Sequence, residues 1–128
     1  IFAASSGIPI AVGENLHTVH RFDEYLRAGA AQIVQPNIVR VGGITPFLGI
    51  AAIAAEYGTA VHPHLLPELS TQVARTLRAT PGVAEPMVED VEDAGFGDLG
   101  ALRDPSPVTV RDGYAVENAH VGLGIRFR

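Results

Sequence analysis

Short apolar runs alternate with amphipathic stretches along the first part of the chain. The apolar runs cover Ile8 to Val12, Ile33 to Gln35 and Thr59 to Val61, and their length and β-branched content are typical of buried strands. Each run is followed by a segment in which apolar residues recur every three or four positions, as they do on one face of a helix. This order predicts strand-helix units in a parallel sheet with right-handed crossovers.

Local signals delimit the three predicted helices. A hydroxyl side chain suited to capping precedes each of the first two apolar faces, and a glycine follows each face. These residues are Thr18, Gly29, Thr45 and Gly58. The third helix is predicted to begin near Pro67 and to end before Thr80. Its apolar face consists of Leu69, Val73 and Leu77.

The C-terminal part of the chain has a different pattern. Residues 85–98 are acidic and end in a glycine-rich sequence. Val108 to Arg111 and Tyr114 to Val116 are strand-like runs separated by Asp112-Gly113, a pair typical of tight hairpin turns. We therefore expect a β-hairpin near the C-terminus.

Composition restricts the class of protein. The 128 residues are 47% hydrophobic, which is enough for a folded core, and the formal net charge is −5. The nine Lys and Arg residues are scattered, which argues against a nucleic-acid surface. There is no cysteine, and no apolar run approaches the roughly 20 residues of a membrane span. Residues 1–7 resemble the end of a helix and not a secretory signal, so we expect a cytoplasmic protein with no membrane partner.

Polar residues follow each predicted strand. Gly13-Glu14-Asn15 follows the first strand, Pro36-Asn37 the second and His62-Pro63-His64 the third. The steps from Glu14 to Asn37 and on to His64 are 23 and 27 residues, close to the roughly 30 per unit of an eight-unit barrel of about 250 residues. In such barrels the carboxyl ends of the strands carry the active site, so we expect these side chains on one face.

The phrases "IPIAVGEN", "IVQPNIVRVGGIT" and "VHPHLLPELS", in this order and at these intervals, resemble the last three barrel units of enolase-superfamily enzymes of the mandelate racemase-like subgroup. The similarity runs from about Ile8 to the C-terminus. It implies an α/β fold that consists of a (β/α)₈ barrel and a separate capping domain. This chain resembles the C-terminal part of the barrel. Residues 1–98 would be barrel units, and residues 99–128 a hairpin and tail that pack toward the capping domain.

The resemblance implies roles for Glu14 and His64. Glu14 matches the third of three carboxylate ligands of Mg²⁺, a hard cation that prefers oxygen, and the other two ligands would lie upstream of Ile1. His64 matches the histidine that moves a proton at the substrate, a task suited to a side chain that changes charge near neutral pH. His62 is the rival, because both side chains share a face if the strand continues through Pro63.

Asn37 departs from the subgroup's pattern, in which an Asp commonly orients the histidine and favours its charged form. Asn can hydrogen-bond to a ring nitrogen but supplies no negative charge. The resemblance therefore implies a less basic His64, which is better suited to protonating a leaving hydroxide than to racemisation. It also leaves open a family member that has lost activity.

Three further acids are candidates for the site. Glu89 is our candidate for an acidic residue that the family places after the last main strand, near a substrate oxygen, and Glu85 competes with it. A solvated surface acid is an equally good interpretation of either residue. Glu68 lies in the first turn of the third predicted helix, where an acid interacts favourably with the helix dipole, and that role alone explains it.

The function that the resemblance implies is Mg²⁺-dependent removal of the proton α to a carboxylate. We expect an acid-sugar dehydratase, a hydro-lyase whose substrate is a sugar acid or another hydroxy-carboxylate. The alternatives are a hydroxy-acid racemase or epimerase of the same superfamily and a non-catalytic barrel remnant with a scaffold role. The partner base, usually a Lys, would lie outside this chain. We therefore expect the isolated chain to be inactive and the full-length parent to be a homo-oligomer.

Overall fold

A computed structural model describes residues 5–78, Val88 and residues 95–128. Strands and helices alternate in the first part of this chain, and a pair of strands follows near its end. In chain order the elements are β1 (Ala11–Val12), α1 (Val19–Arg27), β2 (Ile33–Val34), α2 (Ile44–Glu56), β3 (Ala60–Val61), α3 (Pro67–Arg78), β4 (Val108–Arg111) and β5 (Tyr114–Glu117). The predicted order of strand-helix units and the predicted hairpin are both confirmed.

The first three strands form a parallel sheet in the order β1-β2-β3. Ala11 pairs with Ile33, and Ile33 in turn pairs with Ala60, so the strands are in register across the sheet. Hydrogen bonding between β2 and β3 continues beyond the strands, because the His62 amide donates to Val34 and the His64 amide donates to Pro36. Parallel strands end at the same edge of a sheet, which we call the carboxyl edge: residues 13–15, 36–37 and 62–64.

The ends of α1 match the sequence prediction. The Thr18 hydroxyl accepts a hydrogen bond of 3.3 Å from the Arg21 amide at the start of the helix, and Gly29 adopts a left-handed conformation with φ 61° just beyond its end. Both features depend on residues close in sequence, which explains why the pattern predicted them.

The prediction that Thr45 caps α2 is wrong. The helix begins at Ile44, and its N-cap residue is Gly43, two positions before Thr45, with no capping hydrogen bond from a side chain. Gly42 and Gly43 have φ values of 96° and 109°, a region that only glycine enters readily. These two glycines turn the chain directly into the helix and leave Thr45 in its first turn. Gly58, at φ 64°, follows the other end of α2 as predicted.

The hydrophobic core is formed by β2, β3 and the three helices. α1 packs against α2, and both contribute fully buried phenylalanines, Phe22 and Phe47. On α3, Val73 and Leu77 are buried and Leu69 is partly buried, as their spacing predicts. The core therefore fixes the position of the carboxyl edge relative to the helices.

The C-terminal segment packs against α3. β4 and β5 form an antiparallel hairpin in which Arg111 pairs with Tyr114, and the turn residues Asp112 and Gly113 have positive φ values. Arg75 of α3 forms an ion pair with Glu117 of β5. In the part of the chain that the structure describes, no helix has the length and apolarity needed to cross a membrane.

Candidate active site

Glu14 lies at the carboxyl edge because β1 ends in a tight turn. The Leu16 amide donates a 2.9 Å hydrogen bond to the Gly13 carbonyl, which closes the turn around Glu14 and Asn15. A Cβ atom at Gly13 would lie 2.3 Å from the carbonyl carbon of Gln35, far inside van der Waals contact. Glycine is therefore required for the end of β1 to approach the end of β2 this closely. Sequence reasoning placed Gly13 in a motif but did not detect this contact.

Gly13→Ala in the complete protein should lower both stability and turnover. The new methyl group collides with backbone and not with a flexible side chain, so the two strand ends must separate, at a cost of about 1–3 kcal/mol. The melting temperature measured by circular dichroism tests the effect on stability.

Gly49→Ala is the matched control for this substitution. Gly49 lies within α2, where an added Cβ would meet only a methyl group of Val19 at an ordinary 3.8 Å. Alanine is favoured over glycine in helices, so this variant should melt at or slightly above the wild-type temperature. Equal melting temperatures for Gly13→Ala and the wild type would contradict the close approach of β1 and β2.

The Glu14 carboxylate lies between a histidine and an arginine. Its Oε2 atom is 3.8 Å from Nε2 of His64, and its Oε1 atom is 3.3 Å from Nη1 of Arg40. The Glu14 side chain is 46% exposed, whereas the His64 side chain is 14% exposed. An open carboxylate beside a largely buried imidazole is an arrangement that can bind a cation and move a proton at the same place.

His64 is followed by an unusual backbone turn. Leu65 and Leu66 have φ values of 60° and 51°, which are uncommon for residues with a side chain. The Ser70 hydroxyl donates a hydrogen bond to the Leu65 carbonyl, and the Ser70 amide donates to the Leu66 carbonyl at 2.9 Å. The first turn of α3 thus holds the backbone immediately after His64 in a conformation that costs free energy, a pattern that clusters at functional sites.

Asn37 is buried at the carboxyl edge, with 5% exposure. Its Oδ1 atom accepts hydrogen bonds from the Val39 amide at 3.0 Å and the Arg40 amide at 3.1 Å. These donors identify Oδ1 as the acceptor, so a bond from the Asn37 side chain to the His64 ring would use Nδ2 as the donor. That side-chain bond stays a prediction. The backbones of the two loops are adjacent, because the His64 amide donates a hydrogen bond to the carbonyl of Pro36, the neighbour of Asn37.

Of the three acidic candidates, Glu68 lies in the part of the chain that the structure describes. Glu68 is 1% exposed, and its carboxylate accepts hydrogen bonds of 3.1 Å from the amides of Phe96 and Gly97. It therefore anchors the C-terminal segment at the start of α3, in addition to its favourable place in the helix dipole. Glu85 and Glu89 lie outside the residues that the structure describes, and the role predicted for Glu89 stays a prediction.

Arg40 is the site residue that sequence reasoning missed. Its guanidinium reaches from the loop after β2 to the end of β1, across 26 positions in sequence. The available signal was its place three residues after Asn37, in the same loop at the carboxyl edge. That signal is weak, because surface arginines in loops are common.

The described residues fit one ligand of a magnesium site and not a complete site. Glu14 offers a hard, partly exposed carboxylate oxygen, which is the kind of ligand that Mg²⁺ prefers. Among residues 5–78, 88 and 95–128, no three His, Cys, Asp or Glu side chains are close enough together to hold a metal ion. Further ligands would have to come from residues other than these.

Curated proteins similar to this chain include sugar-acid enzymes. The chain is 40% identical over 67 residues to L-talarate/galactarate dehydratase of Salmonella typhimurium, covering 52% of this chain and 17% of the relative. It is 34% identical over 104 residues to 3,6-anhydro-alpha-L-galactonate cycloisomerase of Streptomyces coelicolor, covering 81% of this chain and 27% of the relative. The chain thus spans about a quarter or less of the length of these relatives.

The fold has close counterparts among solved structures. The crystal structure of L-talarate dehydratase from Polaromonas sp. JS666, complexed with Mg and L-glucarate, superposes with a TM-score of 0.79 at 35% sequence identity. The match covers 98% of this chain and 32% of that chain. The chain is therefore a mixed α/β partial domain that matches the C-terminal domain of barrel enzymes. The model for the family described as enolase C-terminal domain-like matches residues 2–128, and the chain belongs to this family.

Proposed function

We propose that the complete protein is a Mg²⁺-dependent acid-sugar dehydratase. The observation that carries this proposal is the pairing of Glu14 and His64, which are 50 positions apart in sequence and 3.8 Å apart at the carboxyl edge. The dehydratase names among its relatives and the Mg and L-glucarate in a similar crystal structure support the reaction class. The substrate class is a sugar acid with hydroxyl groups on both the α- and the β-carbon of the carboxylate.

Glu14 is the metal ligand in this proposal. A Mg²⁺ ion held there would supply Lewis-acid stabilisation of the negative charge that develops on the substrate carboxylate when the α-proton leaves. The exposed carboxylate of Glu14 would contribute one anionic oxygen, and because Glu14 lies beside His64, a substrate carboxylate bound to the metal would lie near the imidazole. The α-proton is taken by a base that we do not assign to any described residue.

His64 is the general acid of the second half of the reaction. After the α-proton leaves, the electron pair forms the carbon-carbon double bond as the bond to the β-hydroxyl breaks. His64 donates a proton to the departing oxygen, so that water and not hydroxide leaves. The resulting enol tautomerises to a 2-keto-3-deoxy acid. The His64 side chain is only 14% exposed, so most of the imidazole is shielded from bulk water.

A second candidate is an isomerase acting on the same kind of substrate, because one relative is named a cycloisomerase. Both reactions begin with loss of the α-proton, and they differ in whether water leaves. The identity of the product therefore decides between them.

We also propose that the complete protein is a cytoplasmic homo-oligomer without a nucleic-acid or membrane partner. The scattered basic residues support the absence of a nucleic-acid partner.

The test is a substrate panel applied to the complete protein. Acid sugars are incubated with the protein plus Mg²⁺, and with protein whose metal has been removed by EDTA. We expect a 2-keto-3-deoxy acid, detected as its semicarbazone, from at least one substrate and only when Mg²⁺ is present. Isomerisation without loss of water would instead identify an isomerase, and no turnover of any substrate would favour a scaffold role.

A further inference from the structure

Arg40 joins the ends of two strands at the site. Its Nη1 atom donates a 3.1 Å hydrogen bond to the Glu14 carbonyl and a 2.8 Å hydrogen bond to Oδ1 of Asn15. The same atom lies 3.3 Å from Oε1 of Glu14. The arginine therefore contacts the backbone, the neighbouring side chain and the carboxylate of the turn that contains Glu14.

The groups of the turn that accept hydrogen bonds from Arg40 differ from the group that would bind a cation. A guanidinium NH₂ group has two hydrogens, and those on Nη1 are directed to the Glu14 carbonyl and to Asn15. The contact with the Glu14 carboxylate is therefore an attraction between charges and not a further hydrogen bond from this atom. The turn is held through its backbone and Asn15, which leaves the Glu14 carboxylate available for a metal ion.

Arg40 is itself held at its backbone. The Arg40 amide donates a 3.1 Å hydrogen bond to Oδ1 of the buried Asn37. A continuous set of hydrogen bonds thus runs from Asn37 through Arg40 to the turn at Glu14. This set restricts the two loops relative to each other, and bonds of this kind orient metal ligands in other proteins.

We propose that Arg40 is a positioning residue that sets the direction of the Glu14 carboxylate and thereby the affinity of the protein for a divalent cation. The proposal rests on the role of Glu14 as a metal ligand. It assigns Arg40 no contact with the substrate or with the metal.

The direction in which Arg40→Met changes the affinity for Mg²⁺ distinguishes a positioning role from a purely electrostatic one. A positive charge close to a cation site repels the cation, so on Coulomb's law alone Arg40→Met would strengthen Mg²⁺ binding. Loss of positioning has the opposite result, because the freed Glu14 turn must be ordered again when the cation binds. Removing such an outer partner typically weakens metal affinity by about 10- to 100-fold.

The experiment measures Mg²⁺ dissociation constants by calorimetry on the metal-free complete protein. We expect Arg40→Met to bind Mg²⁺ about 10-fold or more weakly than the wild type. Arg40→Lys should also bind more weakly, because it keeps the charge but loses the planar donor group. Arg21→Met is the matched control, since Arg21 forms an exposed pair with Glu24 on α1, and it should bind Mg²⁺ as the wild type does.

Equal or tighter Mg²⁺ binding by Arg40→Met would overturn the proposal. Circular dichroism of each metal-free variant shows whether it folds. If Arg40→Met does not fold, Arg40→Lys and Asn15→Ala decide the question, and unchanged binding in both would also overturn it. Glu14→Gln separates this proposal from the function proposed above. Unchanged binding there means that the metal site itself is wrongly assigned, whereas weaker binding there with unchanged binding in the Arg40 variants refutes positioning alone.

Discussion

Glu14→Gln in the complete protein should weaken Mg²⁺ binding and slow turnover together. The amide has nearly the same shape but lacks the negative charge that a hard cation requires of its ligand. The Glu14 carbonyl and Asn15 still accept their hydrogen bonds from Arg40, so the turn should remain in place. We expect the loss in Mg²⁺ affinity to reach at least the roughly 10- to 100-fold that removal of an outer-sphere partner causes. Calorimetry and steady-state kinetics at several Mg²⁺ concentrations measure the two effects.

Glu24→Gln is the control for Glu14→Gln. Glu24 is a comparably exposed carboxylate that pairs with Arg21 on α1. Removing its charge should leave Mg²⁺ binding and turnover unchanged, because an exposed surface ion pair contributes little. If Glu14→Gln also kept the Mg²⁺ dependence of the wild type, Glu14 would not be a ligand.

His64→Asn should slow turnover by about 10²- to 10⁴-fold, the contribution typical of a general acid. Its effect on Mg²⁺ binding should be small, because His64 lies 3.8 Å from the Glu14 carboxylate and is beyond normal hydrogen-bond distance. This pattern, a lower kcat with nearly unchanged metal affinity, differs from that of Glu14→Gln. Measuring both quantities therefore separates proton transfer from metal binding.

His62→Asn provides a control two residues away. Both histidines follow β3, and their amides donate hydrogen bonds to the carbonyls of Val34, at the end of β2, and Pro36, two residues later. The His64 ring lies 3.8 Å from the Glu14 carboxylate, which favours His64 as the proton donor, so His62→Asn should retain most of the wild-type turnover. A large loss of turnover in His62→Asn, together with near wild-type turnover in His64→Asn, would mean that His62 and not His64 is the general acid.

The sequence by itself determined the elements that depend on local interactions. The helical spacing of apolar residues, the Thr18 cap and Asp112-Gly113 act over a few residues, so the first helix and the hairpin could be predicted closely. The three polar phrases were sufficient to recognise the family, because their order and spacing repeat the strand-helix unit. The same spacing predicted that Glu14 and His64 would lie at one edge of the sheet.

Only the tertiary structure decided the contacts between residues distant in sequence. The collision that excludes a side chain at Gly13 depends on how closely two strands approach, and no local pattern contains that distance. The hydrogen bonds from Arg40 to the Glu14 turn cross from one loop to another. The N-cap of α2 is Gly43 and not Thr45, because the positive φ values of two glycines outweighed the capping preference of threonine. Strand pairing and loop geometry arise from packing across the whole sheet, and therefore lie beyond what neighbouring residues specify.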